Sequence, residues 1–321
     1  MSGWKRTISK LRKQYEQVYR SLSRVELQRG MSPLDELDVG DLFESSSDLW
    51  LGFYTKEGIE TALDRYGVLS DIRARGFKKL EIELRMDDPD EHMLRIWSKL
   101  PICQDPLLEL VVSRGTLHFG EGLGEEFEAT YAPVLTVQWI LMQNPMASFD
   151  PQRPPLPSQG HPGLGVGAQV MTILANACRR LNLAGLVTIP AHFHNALLYG
   201  VSFKYIDPVC EGTFRALGDQ LLDDADLALP EASWAMHWNM VIDRKTQSTK
   251  PFEWFHEAML WPISEPFVSY FNSREYKAAV QKEKRRHQFE VFEGALQRNL
   301  ASRGLVPWDQ AKVDAWLSEQ S

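Results

Sequence analysis

Residues 144–160, NPMASFDPQRPPLPSQG, hold five prolines. Each proline fixes φ and removes a backbone donor, so the stretch is neither a regular helix nor a central strand. A loop of this length inside a compact domain is usually functional or mobile. It separates the apolar run PVLTVQWILMQ (133–143) from HPGLGVGAQVMTIL (161–174), which has glycines at 163, 165 and 167. Behind the glycines, Val170, Ile173, Leu174, Ala177, Cys178 and Leu181 recur at helical spacing, and the helix ends near Asn182. GLVTIP (185–190) has the length and content of a buried strand, and HFHNALLYGVSFKYID (192–207) reads as a short helix followed by a strand. Strand, loop, glycine turn, helix, strand, short helix, strand is the order of an α/β layer fold.

The flanks add elements to that frame. Ile8, Leu11, Tyr15, Val18, Leu22 and Val25 place a helix over 5–28, with basic residues on its other face. DLWLGFY (48–54) reads as a buried strand, and 55–75 as one or two helices, the first capped by Thr55. KKLEIELRM and HMLRIW are strands, and LLELVVSRGTLHF is a hairpin turned at Arg114-Gly115. Beyond 211, EGTFRALGDQLLDDADLAL reads as helix. SWAMHWNMVID and FEWFHEAMLWPIS read as two aromatic strands joined by RKTQSTKP. A charged amphipathic helix follows over 273–300, and PWDQAKVDAWLSEQ makes a last short one. The expected organisation is a basic helical arm (1–45), a central domain (46–210) and a C-terminal extension of aromatic hairpin and helices (211–321).

Among 321 residues, 44% are apolar and 24% charged, which excludes wholesale disorder. No apolar run approaches the roughly 18–20 residues of a membrane span, so a soluble protein without a membrane partner is expected. The N-terminus has no secretory h-region, although its basic amphipathic character leaves an organelle presequence open. Cys103, Cys178 and Cys210 lie far apart with no CxxC, which suits a reducing compartment, and we read the protein as cytoplasmic. Residues 1–30 carry eight Lys/Arg against two Glu, so the remaining chain carries −14 of the net −8. A net-acidic body argues against a nucleic-acid partner. The basic arm is read as solvated or docked on the acidic stretch from Asp35 to Asp48.

The glycines decide the function class. A helix N-terminus presents unpaired N–H groups and partial positive charge, and glycines in the entering turn let backbone approach an anion. A P-loop needs Lys and Ser/Thr after its last glycine, but Ala168-Gln169-Val170 stand there. A dinucleotide turn needs GxGxxG and a carboxylate closing the next strand, which here ends Thr188-Ile189-Pro190. Neither fits, and a glycine-rich loop with no ligand stays as the plain alternative.

Gly165-Val166-Gly167, the helix behind it, and Asn195-Ala196-Leu197-Leu198-Tyr199 with Phe203 resemble the cofactor-binding half of the GNAT superfamily of acyl-CoA-dependent N-acyltransferases. That resemblance covers 162–207 and extends in architecture to 48–143. It implies a mixed central sheet with helices on both faces, opened between the strands 133–143 and 185–190 to take pantetheine. It places the CoA pyrophosphate on Gly163, Leu164, Gly165, Val166, Gly167 and Ala168, with Asn195 also on the cofactor. Tyr199 stands where the family keeps the acid that protonates the leaving thiolate. The implied reaction moves an acetyl or other acyl group from acyl-CoA to a small-molecule or peptide amine, by direct attack in a ternary complex. Pro162 departs from the pattern, occupying the slot of the usual Gln/Arg, for which Gln159 or Arg153 could substitute. The glycine of the later segment is Ser202.

Amine acylation needs a base, an oxyanion donor and an acid. The run 133–143 contains no Asp, Glu or His, so only its backbone N–H groups could polarise a thioester. His192 and His194 follow the second strand directly and are base candidates, a cap or a backbone contact being the plainer role for either. His161 could contact phosphate or only the loop. His192-Phe-His194 also raises a metal reading, since alternate strand residues share a face, but no Cys/His set supports it and no metal is expected. No GxSxG elbow exists, and no cysteine has a neighbouring base. The Trp234, Trp238, Trp254 and Trp261 cluster reads as core or interface. A regulatory protein that keeps the fold and binds CoA without turnover is the alternative function, and self-association into a homodimer is left open.

Overall fold

The computed structural model describes residues 15–29, 49–88, 90–118, 131–150, 154–245 and 250–305. The chain divides into two compact units. The first is drawn from 1–146, 163–188 and 261–267, the second from 147–162, 189–260 and 268–321. Among the described residues no helix is long and apolar enough to cross a membrane.

The first unit runs α1 (residues 15–21), α2 (Arg24–Leu27), α3 (Lys56–Arg65), α4 (Val68–Ala74), β1 (Leu80–Arg85), β2 (Glu91–Ser98), β3 (Leu108–His118), β4 (Tyr131–Met142), α5 (Gly167–Arg180) and β5 (Gly185–Thr188). β1 to β4 are successive antiparallel neighbours. β4 and β5 run parallel, pairing Leu135 with Leu186, Thr136 with Val187 and Val137 with Thr188. Parallel neighbours need a crossover, and α5 supplies it. The result is a mixed α/β fold whose element order is the one the GNAT resemblance implies.

The core follows from periodicity. β2 buries His92, Leu94, Ile96 and Ser98 on one face. α5 buries Val170, Ile173, Leu174, Ala177 and Cys178, and Val170, Ile173 and Leu174 share one apolar space with Ile59, Leu63, Leu94 and Leu110. Each such aliphatic side chain contributes about 1.5–3 kcal/mol when fully buried. Two polar pairs fix the register of α5. Asn176 Nδ2 donates to Tyr66 Oη at 2.7 Å, and Gln169 Nε2 donates to Asp71 Oδ2 at 2.7 Å.

The second unit contains α6 (Phe193–Tyr199), β6 (Lys204–Tyr205), α7 (Pro208–Gly218), a π-helical turn (Asp219–Asp224), α8 (Leu229–His237), β7 (Val241–Asp243), and the start of β8 (Met259–Pro262). It continues through the end of α9 (Glu265–Asn272) to α10 (Arg274–Lys284), β9 (Phe289–Val291) and α11 (Glu293–Ser302). β6 pairs antiparallel with β8, and β7 with β9. α7 and α10 approach closely at Gly212, where a Cβ would stand 2.7 Å from Val280 O.

Several expectations are corrected. DLWLGFY is a turn, because Leu51 (φ +56) and Gly52 (φ +62) reverse the chain between the bridged Trp50 and Tyr54. His92 Nδ1 accepts from Leu51 N at 2.7 Å, and Arg114 donates to Leu51 O, so distant residues hold that turn. LLELVVSRGTLHF makes no hairpin; Arg114 and Gly115 pair with Leu135 and Val134 inside one long strand. The two aromatic runs form no hairpin among the described residues. Residues 229–237 are helical because Pro230 suits a first turn and Glu231 accepts from Ala228 N at 2.8 Å, while β7 and β8 pair with other strands. The helix expected over 273–300 breaks at Arg285, where the chain enters β9. The helix expected over 5–28 is interrupted at Ser23, which caps α2. Residues 1–14, the acidic stretch 31–48, Arg153 and the last helix at 307–320 lie outside the described residues.

Candidate functional site

The predicted glycine turn, Gly163–Ala168, lies in the first unit. β3 pairs Val111 with Trp139 and Val112 with Val137, which leaves Gln138 as a bulge in β4. A bulge bends its strand and interrupts the ladder. The parallel pairing with β5 ends at Val137–Thr188, immediately before that bulge, so β4 runs on from Gln138 to Met142 without β5 beside it. Past Gln143, Gly163 bridges back to Gln143 and Leu164 N donates to Met142 O at 3.3 Å. Leu164 and Val166 are fully buried and anchor the turn, while Gly163, Gly165 and Ala168 are exposed. The glycine turn is therefore pinned on both sides with its backbone facing outward.

Gly165 has φ +73, a conformation that costs an L-residue about 1–2 kcal/mol. A Cβ there would also stand 2.6 Å from Arg75 Nη2. Arg75 Nη1 donates to Asp71 O at 2.6 Å, which holds its guanidinium against the turn. Gly163 has nothing within 4 Å of its missing Cβ, and Gly167 would meet only the end of the Met142 side chain, its Cε at 3.2 Å. α5 then begins with no side-chain cap and no acidic residue in its first turn. Its unpaired N–H groups and positive end suit an anion. Arg75 was invisible in the sequence, because it reaches the turn from α4 with no motif around it. The bulge at Gln138 likewise left no signal.

His192, His194, Asn195 and Tyr199 lie in the second unit. His192 is the N-cap residue of α6 but makes no side-chain cap; its Nε2 lies 3.0 Å from Ser158 Oγ. His192 stacks on His194 at 5.2 Å and meets His237 edge-on at 5.7 Å. Burial pushes the His192 imidazole below its ordinary value, helped by His237 and His256. Burial takes His194 down to about 4, helped by His192 and His237. A base that weak accepts an ammonium proton poorly, so half-buried His192 is the better placed of the two.

Tyr199 ends α6 half-buried, with its ring 5.6 Å from that of Phe203. Burial raises the phenol, which keeps it protonated through neutral pH. Asn195 is half-buried on the same helix, with its N–H donating to His192 O at 3.0 Å. His161 is exposed. Because Phe193–Tyr199 is helical, His192 and His194 do not share the face of a strand as the metal reading required. Among the described residues, no group of three or more His, Cys, Asp or Glu is placed to hold a metal ion. Burial pushes the Cys178 and Cys210 thiols up to about 12, far from the reactive thiolate range.

No family profile and no curated protein matches the sequence. Among solved structures, the chain is similar to AtaTR bound with AcCoA at 13% identity, over 40% of this chain and 88% of that one, with a TM-score of 0.28. It is similar to the KacTA–DNA complex at 13% identity, over 47% of this chain and 74% of that one, with a TM-score of 0.25. Both superpositions are loose, and the fold assignment rests on the topology described above.

Proposed function

We propose that the chain binds an acyl-CoA at Gly163–Ala168 and transfers the acetyl or other acyl group to an amine by direct attack in a ternary complex. The observation that carries this reading lies within the first unit: the pairing of β4 with β5 stops just before a bulge, and the chain from β4 enters an uncapped helix through a left-handed glycine. The pyrophosphate would accept from the N–H groups of the turn and of the first turn of α5, with Arg75 supplying a cation in place of the family's Gln/Arg. The N–H groups of β4 freed from pairing would polarise the thioester. The GNAT resemblance assigns Tyr199 the role of acid to the thiolate and places Asn195 on the cofactor. His192 is the base in this reading, with His194 behind it. The acceptor is a small-molecule or peptide amine.

Calorimetry with CoA and acetyl-CoA tests the site, and thiol release against an amine panel tests turnover. Binding with thiol release is expected; no binding at millimolar ligand would overturn the proposal. Tyr199→Phe should lower kcat about a hundredfold, within the range that general acids contribute, while CoA affinity stays within about twofold. Unchanged turnover removes Tyr199 from the acid role. The second reading, a CoA-binding regulator without turnover, is favoured by one observation: β4 carries no ionisable side chain from Ala132 to Met142. Binding without thiol release selects it.

A further inference from the structure

Residues 154–160 form no helix or strand, and two side chains tie them down within the second unit. Trp234 Nε1 on α8 donates to Pro155 O at 2.9 Å, and Ser158 Oγ lies 3.0 Å from His192 Nε2. Ser158 sits at φ +67, so the second tie holds a residue in a conformation that serine adopts at a cost. Behind this tie the imidazoles of His192, His194 and His237 pack ring against ring, and Trp234 meets His237 at 5.4 Å. His194 is 4% exposed, and its Nδ1 has no hydrogen-bond partner among the described residues. The charged groups that act on His192 and His194 are His192 itself on its neighbour, His237 and His256; no carboxylate is among them.

We propose that residues 154–160 are an acid-released strap, closed while His192 and His194 are neutral and opened when protons charge them. Like charges packed without a counter-ion repel, and water is the cheapest place to put them. The Ser158 hydroxyl can donate to a bare His192 Nε2 or accept from a protonated one, so release comes from repulsion among the charged rings, with the strain at Ser158 favouring it. The closed state holds His192 and His194 below the ordinary imidazole value of about 6.5, and opening returns them to it. The open form therefore binds more protons. Closure is fully favoured above about pH 6.5 and loses ground as the pH falls toward 4.

Hydrogen exchange on the intact chain, corrected for its intrinsic pH dependence, reads the strap directly. Between pH 7.5 and 5 the hydrogen-bonded amides of Leu156 and Gln159 should exchange at least tenfold faster while those of β2–β4 hold. His237→Gln removes the ring that opposes charge on both His192 and His194 and leaves the Ser158 tie, so opening should need more acid, by about half a pH unit or more. Ser158→Gly relieves the strain and removes the tie, and should leave the strap fast-exchanging at both pH values. Three results would overturn the proposal: corrected exchange that does not change with pH, a His237→Gln profile that coincides with the wild type, or β2–β4 exchanging in step with the strap. The readout does not depend on acyl-CoA binding, so it stands apart from the fate of the transferase reading.

Discussion

Helices α3 and α5 belong to the same unit and begin in opposite ways. The start of α3 is closed. Thr55 Oγ1 accepts from Gly58 N at 3.0 Å, Glu57 places a carboxylate in the first turn, and Thr55 N donates to Leu27 O at 3.2 Å. A Cβ on Gly58 would stand 1.9 Å from Leu27 O, so packed backbone covers the helix end. The start of α5 has none of this: no cap, no acidic residue in its first turn, and a left-handed glycine leading in. Capping is worth about 1 kcal/mol, and an acidic first-turn residue about 0.3–1 kcal/mol more. A helix end satisfied from within has nothing left for an anion. One left open costs stability and keeps its donors for something outside the fold.

That contrast is sharpest at the glycines, which look alike in sequence. Gly58→Ala forces a side chain against main chain that cannot swing away, and should destabilise the protein by about 3 kcal/mol, the upper range for overpacking. Thermal or urea unfolding measures it, and a loss below about 1 kcal/mol would mean that the α3 start is not closed by packing. Gly165→Ala meets only the end of the Arg75 side chain, so its cost is chiefly the left-handed φ, about 1–2 kcal/mol. Its larger effect should be functional, because relief of the strain reshapes the turn. CoA affinity should fall at least about tenfold by calorimetry, and retained affinity would show that Gly165 serves only the chain reversal.

The same contrast explains what was legible in the sequence. The stripe of α5, the alternation of β1, the short strand β2, the apolar β4 and the Thr55 cap could all be read, because each is decided by residues a few positions apart. Elements decided by distant partners could not. Leu51 sits in a turn because His92 and Arg114 grip its backbone, and the local string Asp-Leu-Trp-Leu-Gly-Phe-Tyr looks like a strand. The helix expected through His287 breaks because Asp243 and Glu283 take its two ring nitrogens, at 2.7 and 3.2 Å, and draw the following residues alongside β7. In the candidate site the glycine turn, an event of adjacent residues, was visible. Arg75 beside it comes from the end of α4, as the residue that caps that helix, and the bulge at Gln138 exists only in register with β3.

Closing the start of α5 by design tests the contrast most directly, through its smallest change in stability. Ala168 is exposed in the first turn and is not part of the buried anchor formed by Leu164 and Val166. Ala168→Asp gives α5 the first-turn carboxylate that Glu57 gives α3. It should raise stability by about 0.3–1 kcal/mol at low ionic strength, less the helix propensity lost by replacing Ala. The same carboxylate stands where the proposed pyrophosphate would bind, and like charge should weaken CoA about tenfold or more. Salt separates the two effects, since added salt screens exposed charges and should recover part of the lost affinity while erasing part of the gained stability. A variant that becomes more stable and still binds CoA as before would mean that the open end of α5 is a plain structural imperfection. One that exchanges affinity for stability would mean that the opening is kept for an anion.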